Sequence, residues 1–209
     1  MNDRHTQLPA ALRLILIAED SRGVAAALAQ FGRGVAAVQL RAPGLSARLL
    51  LSRARELRDL CTSHGAALMI NDRVDVALAA GANGVHLPTR GMDVTDVRTL
   101  FASAGREAIV GCSCHSPSER DAAERAGADY AFYSPIWDVP GKGPALGLDA
   151  LALAARGRAL PLFALGGVTA ANVRAVISAG ARGVACLRSI LHADDPAAAA
   201  AGFASVLPT

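Results

Sequence analysis

The sequence predicts a single (β/α)₈ barrel, one domain over all 209 residues. Three observations predict it. First, short apolar runs alternate with helical patterns eight times, the mark of an all-parallel sheet. Second, one turn recurs as Ala80-Gly-Ala-Asn-Gly-Val, Ala126-Gly-Ala-Asp-Tyr-Ala and Ala179-Gly-Ala-Arg-Gly-Val. In each, a helix ends on glycine and the chain turns into a parallel strand. Third, no Gly-x-Gly-x-x-Gly follows the first apolar run, so eight units favour closure over an open dinucleotide-binding sheet.

Each element has its own warrant. Leu12 to Ala18 reads as the first strand, with Asp20 and Ser21 as N-caps for a helix through Phe31. Val35 to Arg41 is the second strand, and Ser46 to His64 a long helix with Leu49, Leu50, Ala54, Leu57 and Leu60 at helical spacing. Ala67 to Asn71 is the third strand, followed by a helix from Val74 to Ala80. Gly84 to Leu87 and Val94 to Ala102 form the fourth pair. Ala108 to Ser113 is the fifth strand, and Pro117, behind a Ser116 cap, opens its helix. Tyr130 to Tyr133 is the sixth strand, with a helix from Leu148 to Arg156 beyond a loop. Leu162 to Leu165, bounded by Pro161 and two glycines, reads as a strand buried on both faces. Thr169 opens a helical pattern through Val173, Val176 and Ile177. Gly183 starts the eighth strand, and Asp195 to Val206 closes the chain as a helix.

The composition, 52% hydrophobic and 19% charged, is that of a globular chain with a full core. The net charge of +3 comes without a basic block, which argues against a nucleic-acid partner. Cys61, Cys112, Cys114 and Cys186 lack metal-site spacing and read as buried reduced thiols. The polar N-terminus lacks a signal peptide, and Leu14 to Ala18 is too short to span a bilayer, so a cytoplasmic protein without membrane partners is expected. The oligomeric state stays open, a homodimer included.

Polar residues stand where core strands should be apolar. Gln39 and Arg41 lie two apart and share one face, as do Ser113 and His115. Asn71 and Asp72 end the third strand and read either as site residues or as caps of the next helix. Arg73 reads as a partner of a surface carboxylate, and His86 as a satisfied core histidine. Lys142 sits between glycines in Pro140-Gly-Lys-Gly-Pro144, as a ligand contact or a solvated loop charge. Gly166, Gly167, Leu187 and Arg188 lie at the ends of the last two strands. There a (β/α)₈ barrel commonly cradles a phosphate, and Arg188 adds a fixed positive charge. Strand-end residues of a barrel converge on one mouth, so these groups are expected to form one site.

Seven segments, Val38-Gln-Leu-Arg41, Ile70-Asn-Asp-Arg-Val-Asp75, Gly84-Val-His-Leu87, Gly111-x-Ser-x-His115, Gly127-Ala-Asp-Tyr130, Ser134-Pro-Ile-Trp137 and Ala164-Leu-Gly-Gly-Val168, occur in an order and spacing that resemble the thiamine phosphate synthase/TenI superfamily. The resemblance runs from Leu14 to Leu191. It implies one of two activities. A synthase joins a pyrimidine methyl diphosphate to a thiazole phosphate with Mg²⁺. A TenI-like tautomerase shifts a proton in a thiazole phosphate carboxylate without a cofactor. It implies further that Gln39, Arg41 and Asn71 line the diphosphate or carboxylate region, that Ser113 and His115 lie by the ring, and that Gly166, Gly167, Leu187 and Arg188 hold the phosphate.

Against the synthase pattern, Pro43 replaces a lysine, Gly91 the second Mg²⁺-binding aspartate and Arg188 a serine. Val139-Pro-Gly-Lys142 replaces Thr-x-Thr-Lys. Asp72 is left as a lone metal candidate, too little for Mg²⁺ without substrate phosphates. A tautomerase needs a phosphate anchor and one proton-transfer group, and histidine suits that task near neutral pH. The first expectation is therefore a TenI-like tautomerase with His115 as its base and no cofactor. The synthase and a non-catalytic thiamine-related phosphate-binding protein are the alternatives.

Overall fold

Eight parallel strands pair in chain order and close on themselves: β1 (Leu14–Ala18), β2 (Ala36–Leu40), β3 (Ala67–Asn71), β4 (Gly84–Leu87), β5 (Ile109–Cys114), β6 (Tyr130–Tyr133), β7 (Leu162–Ala164) and β8 (Gly183–Cys186). The structure, a computed structural model, describes residues 8–208. The tail read as free of a signal peptide, with His5, falls mainly on residues 1–7, outside the described residues. Closure is made by β8 pairing with β1, Leu14 opposite Val184 and Leu16 opposite Cys186.

The alternation of side chains across each strand produces two cores. Ile15, Ile17, Ala37, Met69, Ile109, Tyr130, Phe132, Phe163 and Ala185 fill the barrel's interior. The alternate residues, among them Leu14, Leu16, Val38, Leu40, Leu68, Ile70, Val85, Val110 and Val184, pack outward against the helices. Gln39, Asn71, His86 and Ser113 sit in register with the inner set, which is why apolar strands carry these polar residues.

The helices are α1 (Val24–Leu28), α2 (Ala47–His64), α3 (Val74–Ala80), α4 (Val94–Ser103), α5 (Pro117–Ala126), α6 (Gly147–Ala155), α7 (Val173–Ser178), α8 (Arg188–Leu191) and α9 (Pro196–Ala204). Ser46 caps α2 by accepting from Leu49 N, and Ser116 caps α5 by accepting from Glu119 N, as expected.

Three expectations are corrected. The first helix does not start at Asp20 or Ser21, because Gly23 at φ 70° begins it at Val24. Asp20 instead accepts from the backbone and guanidinium of Arg22. Asn71 and Asp72 do not cap α3, whose N-cap position is Arg73. A short helix, α8, stands between β8 and the closing helix, so the described residues hold nine helices for eight strands.

The repeated turn also stitches neighbouring units. Asn83 Oδ1 accepts from Leu68 N at 2.8 Å, and Asp129 Oδ2 accepts from Val110 N at 2.8 Å. In these two copies the side chain after Gly-Ala binds the backbone of the preceding strand, whereas in the third Arg182 reaches the carbonyls of Pro9 and Ala10 before β1. Asp129 also pairs with Arg98 at 3.0 Å, which fastens α4 to the same seam.

Candidate functional site

The C-terminal ends of the strands open into a cavity of about 790 Å³. Ten residues expected at the site line it: Gln39, Arg41 and Asn71 at the ends of β2 and β3, Ser113 and His115 at the end of β5, Lys142 from the loop before α6, and Gly166, Gly167, Leu187 and Arg188 beyond β7 and β8; Asp72, the metal candidate, is not in the lining. Arg41, Lys142 and Arg188 bring three fixed cations to the lining, and among the described residues it contains no aspartate or glutamate. Such a cavity favours a ligand with more than one negative charge.

Gln39 lies 1% exposed on the inner face of β2. Its Nε2 donates to Asn71 Oδ1 at 3.3 Å, while its Oε1 has no partner. A buried acceptor left unpaired beside a cavity is a contact waiting for a donor.

Gly166 and Gly167 have φ values of 95° and 70°, which favour glycine. Their first constraint is packing. A Cβ on Gly166 would lie 2.8 Å from Pro135 Cβ, and one on Gly167 would lie 2.7 Å from Trp137 Cβ. Tight apposition of the β7 end on the Ser134–Trp137 segment is therefore as much their role as leaving backbone open to a ligand. Leu187 packs on the inner cluster, so only its backbone is left to face a phosphate. Arg188 and Ser189 open α8, where N–H groups have no carbonyl one turn back within the helix.

His115 is exposed at the mouth just past β5. Its Nδ1 lies 2.6 Å from the carbonyl oxygen of Ser134. A carbonyl only accepts, so Nδ1 carries the proton and Nε2 presents a lone pair. The backbone N–H of His115 donates to Glu119 Oε2 at 2.6 Å, which ties the residue to the first turn of α5.

His86 is 1% exposed and hydrogen-bonded at both ring nitrogens, to Tyr130 Oη at 3.1 Å and Ser113 Oγ at 3.0 Å. It also stacks on Phe132 at 4.0 Å. Burial pushes its pKa down to about 3, so the ring is neutral. It is the satisfied core histidine expected. Arg73 pairs with Asp75 at 2.6 Å, also as expected. The four cysteines are free thiols; Cys61, Cys114 and Cys186 are buried as expected, which pushes them up to about 12, whereas Cys112 is half-buried and pushed up to about 11.

Asp72 ends β3 at φ 64°, a left-handed conformation that aspartate tolerates. The residue that faces it is Gly91, where a Cβ would lie 3.1 Å from Asp72 Oδ1. The two positions meet, but one offers no side chain. This pair does not fit the two-carboxylate Mg²⁺ site of the synthase, and among the described residues no group of three His, Cys, Asp or Glu could hold a metal.

Four contributors, Tyr130, Glu119, Ser134 and Pro135, are not candidates on sequence grounds. Tyr130 reads as an ordinary core aromatic, although Gly111 opposite it signals a bulky interior neighbour. Glu119 was signalled by the Ser-x-x-Glu spacing from Ser116. The lining residues Ser134 and Pro135 carry no chemical signal of their own.

A closed parallel barrel with a cavity lined by three cationic side chains at its strand ends defines the class. The chain matches the thiamine monophosphate synthase family over residues 14–190, and it belongs to that family. It is 44% identical over 178 residues to a putative thiamine-phosphate synthase of Geobacter sulfurreducens, covering 84% of this chain and 82% of that one. It is 41% identical to a thiamine-phosphate synthase of Albidiferax ferrireducens, covering 80% and 76%. A Gloeobacter violaceus relative is longer, and the chain spans half its length at 39% identity. Among solved structures, a thiamine phosphate pyrophosphorylase from Pyrococcus furiosus superposes with a TM-score of 0.83 at 27% identity, covering 96% of this chain and 97% of that one. These names match the synthase, the alternative, rather than the tautomerase expected first. Among the described residues, no helix is long and apolar enough to cross a membrane.

Proposed function

We propose that the chain binds a thiazole phosphate and isomerises its ring by proton transfer at His115. The observation that carries the isomerase over a metal-dependent transferase is the contact between Asp72 and Gly91, where the second carboxylate is missing. Arg41, Lys142 and Arg188 supply the charge that holds a phosphate and a ring carboxylate. His115 Nε2 takes a proton from one ring position and returns it to another, so the reaction has no net proton. When Nε2 is protonated, Nδ1–H still donates to Ser134 O, which steadies the cation formed. No redox partner or leaving group is required.

The synthase is the second reading, and the relatives' names favour it. It shares the thiazole phosphate and most of the lining residues. In such a reaction a bound Mg²⁺ would supply charge to neutralise a diphosphate leaving group, and Asp72 is the carboxylate that would hold it.

The test incubates purified protein with a thiazole phosphate carboxylate, with Mg²⁺ or with EDTA, and separates the products. Isomerisation unaffected by EDTA is expected. His115→Asn is expected to lose about 10²–10⁴-fold in rate, with affinity for inorganic phosphate near wild type. Rapid Mg²⁺-dependent formation of thiamine phosphate from a pyrimidine diphosphate replaces this reading with the synthase. Binding without either turnover replaces it with a phosphate-binding protein.

A further inference from the structure

The interior of the barrel contains a polar chain that leads from its buried floor to the cavity. Tyr130 is 0% exposed, and its ring fills the space that a side chain on Gly111 would occupy, where a Cβ would lie 2.1 Å from Tyr130 Cζ. The phenol meets His86 Nδ1 at 3.1 Å, and His86 Nε2 meets Ser113 Oγ at 3.0 Å. Stacking on Phe132 at 4.0 Å fixes the imidazole plane. His86 and Ser113 both border the cavity, but His86 is buried and Ser113, at the end of the chain, is the partly exposed one.

We propose that Tyr130 and His86 are positioning residues which commit the Ser113 hydroxyl to donate its proton into the cavity, so that the ligand presents a hydrogen-bond acceptor at that point. The inference rests on the reading that this cavity is the ligand site. The direction follows from counting donors. A neutral imidazole has one N–H and one lone pair, so the chain can run only two ways. If Ser113 donated to Nε2, Nδ1–H would donate to the phenol oxygen. The phenolic proton would then be buried with no acceptor among the described residues. If Tyr130 donates to Nδ1, Nε2–H donates to Ser113 Oγ, and every buried proton is used. The remaining proton, that of Ser113, faces the cavity. Two shifts agree with this: burial raises the phenol's pKa well above its ordinary value, and His86 is held neutral. Neither Tyr130 nor His86 thus changes its charge near neutral pH, so the direction set by the donor count is not reversed by titration there. A ring nitrogen or a carboxylate oxygen fits such a donor, and an N–H does not.

Nitrogen-15 NMR of the imidazoles reads the direction without any ligand. His86 is expected as the neutral Nε2–H tautomer from pH 5 to 9, and as a mixture in Tyr130→Phe, where neither direction satisfies every atom. Calorimetry then compares thiazole phosphate with inorganic phosphate. Ser113→Ala is expected to weaken thiazole phosphate by about three- to tenfold, the effect of one neutral hydrogen bond, and to leave inorganic phosphate unchanged. Tyr130→Phe is expected to show part of that loss. The double variant is expected to be no weaker than Ser113→Ala, because Tyr130 acts through Ser113 alone. An Nδ1–H tautomer in the wild type overturns the proposal, as do additive losses in the double variant. If neither phosphate binds the wild type, the ligand-site reading fails, and the tautomer alone then decides the polarity of the chain.

Discussion

At the scale of single residues, the two histidines that reach the cavity have opposite surroundings and opposite uses. His115 stands at the rim with one nitrogen fixed by a carbonyl and the other open. His86 lies inside, bonded on both sides and unable to take a proton cheaply. That inability has a consequence for stability. In the unfolded chain a histidine takes a proton near pH 6.5, whereas folded His86 does so only near pH 3. Between those values the unfolded state binds more protons, so stability falls as pH falls, by up to about 1.4 kcal/mol per pH unit from this group alone. Above pH 6.5 neither state is protonated there, and the contribution is flat. Denaturant titrations of wild type and His86→Gln between pH 7 and pH 4 are expected to show the shallower decline in the variant. Parallel curves would mean that other groups govern acid stability. The polarity of His86 and its place on an apolar strand were legible from sequence; its two partners were not, because each comes from a different strand and only the closed barrel brings them together.

At the scale of the element, ends of helices were more readable than beginnings. Gly81 and Gly127 close α3 and α5 in left-handed conformations, as the repeated turn predicts, whereas α7 has Ala179 at its C-cap and the left-handed Gly180 comes one residue later. The start of α1 was misread because Asp20 satisfies Arg22 locally instead of capping a helix. Neither Asn71 nor Asp72 caps α3: Asn71 holds the strand's last inward position and lines the cavity, and Asp72 lies one residue before the N-cap position, Arg73. The start of α5 combines two functions in four residues. Ser116 Oγ accepts from Glu119 N at 3.2 Å, and Glu119 Oε2 accepts from His115 N at 2.6 Å. This resembles a capping box displaced by one residue, with the acid reaching past the cap to the candidate base. The two halves should therefore separate on mutation. Ser116→Ala is expected to cost about 0.5–2 kcal/mol of stability, the usual effect of a lost cap, with turnover near wild type. Glu119→Ala is expected to lower kcat with little change in KM, and Glu119→Gln to restore most of it, since the amide oxygen still accepts. Wild-type kcat in Glu119→Ala would show that the backbone of His115 needs no such anchor.

At the scale of the whole molecule, the fold was legible because its signals repeat. Eight apolar runs, spaced by helices and by three copies of one turn, permit few arrangements, and closure of β8 on β1 is the one observed. The site was legible as a set for the same reason, since strand-end residues of a closed barrel share one mouth. Less legible was the electrostatic result of bringing them together. The chain has 21 lysines and arginines against 18 aspartates and glutamates, a nearly balanced sum. The balance is local nowhere near the cavity, where Arg41, Lys142 and Arg188 line one space and the described residues bring no carboxylate. Arg188 matters most to this arrangement, because it stands beside the glycine-flanked strand end where a phosphate would sit. Its contribution should have the character of a charge and not only of a contact. Replacing it with glutamine keeps a long polar side chain and removes the charge. Arg188→Gln is expected to weaken both inorganic phosphate and thiazole phosphate by about ten- to hundredfold at 0.1 M salt, the scale of a hydrogen bond to a charged group. At 1 M salt, where the screening length falls from about 10 Å to about 3 Å, the gap between variant and wild type is expected to narrow. Calorimetric titrations at the two salt concentrations make the comparison. Equal affinity of variant and wild type for inorganic phosphate at 0.1 M would move the phosphate away from β8, toward Arg41 just past β2, two strands round the mouth.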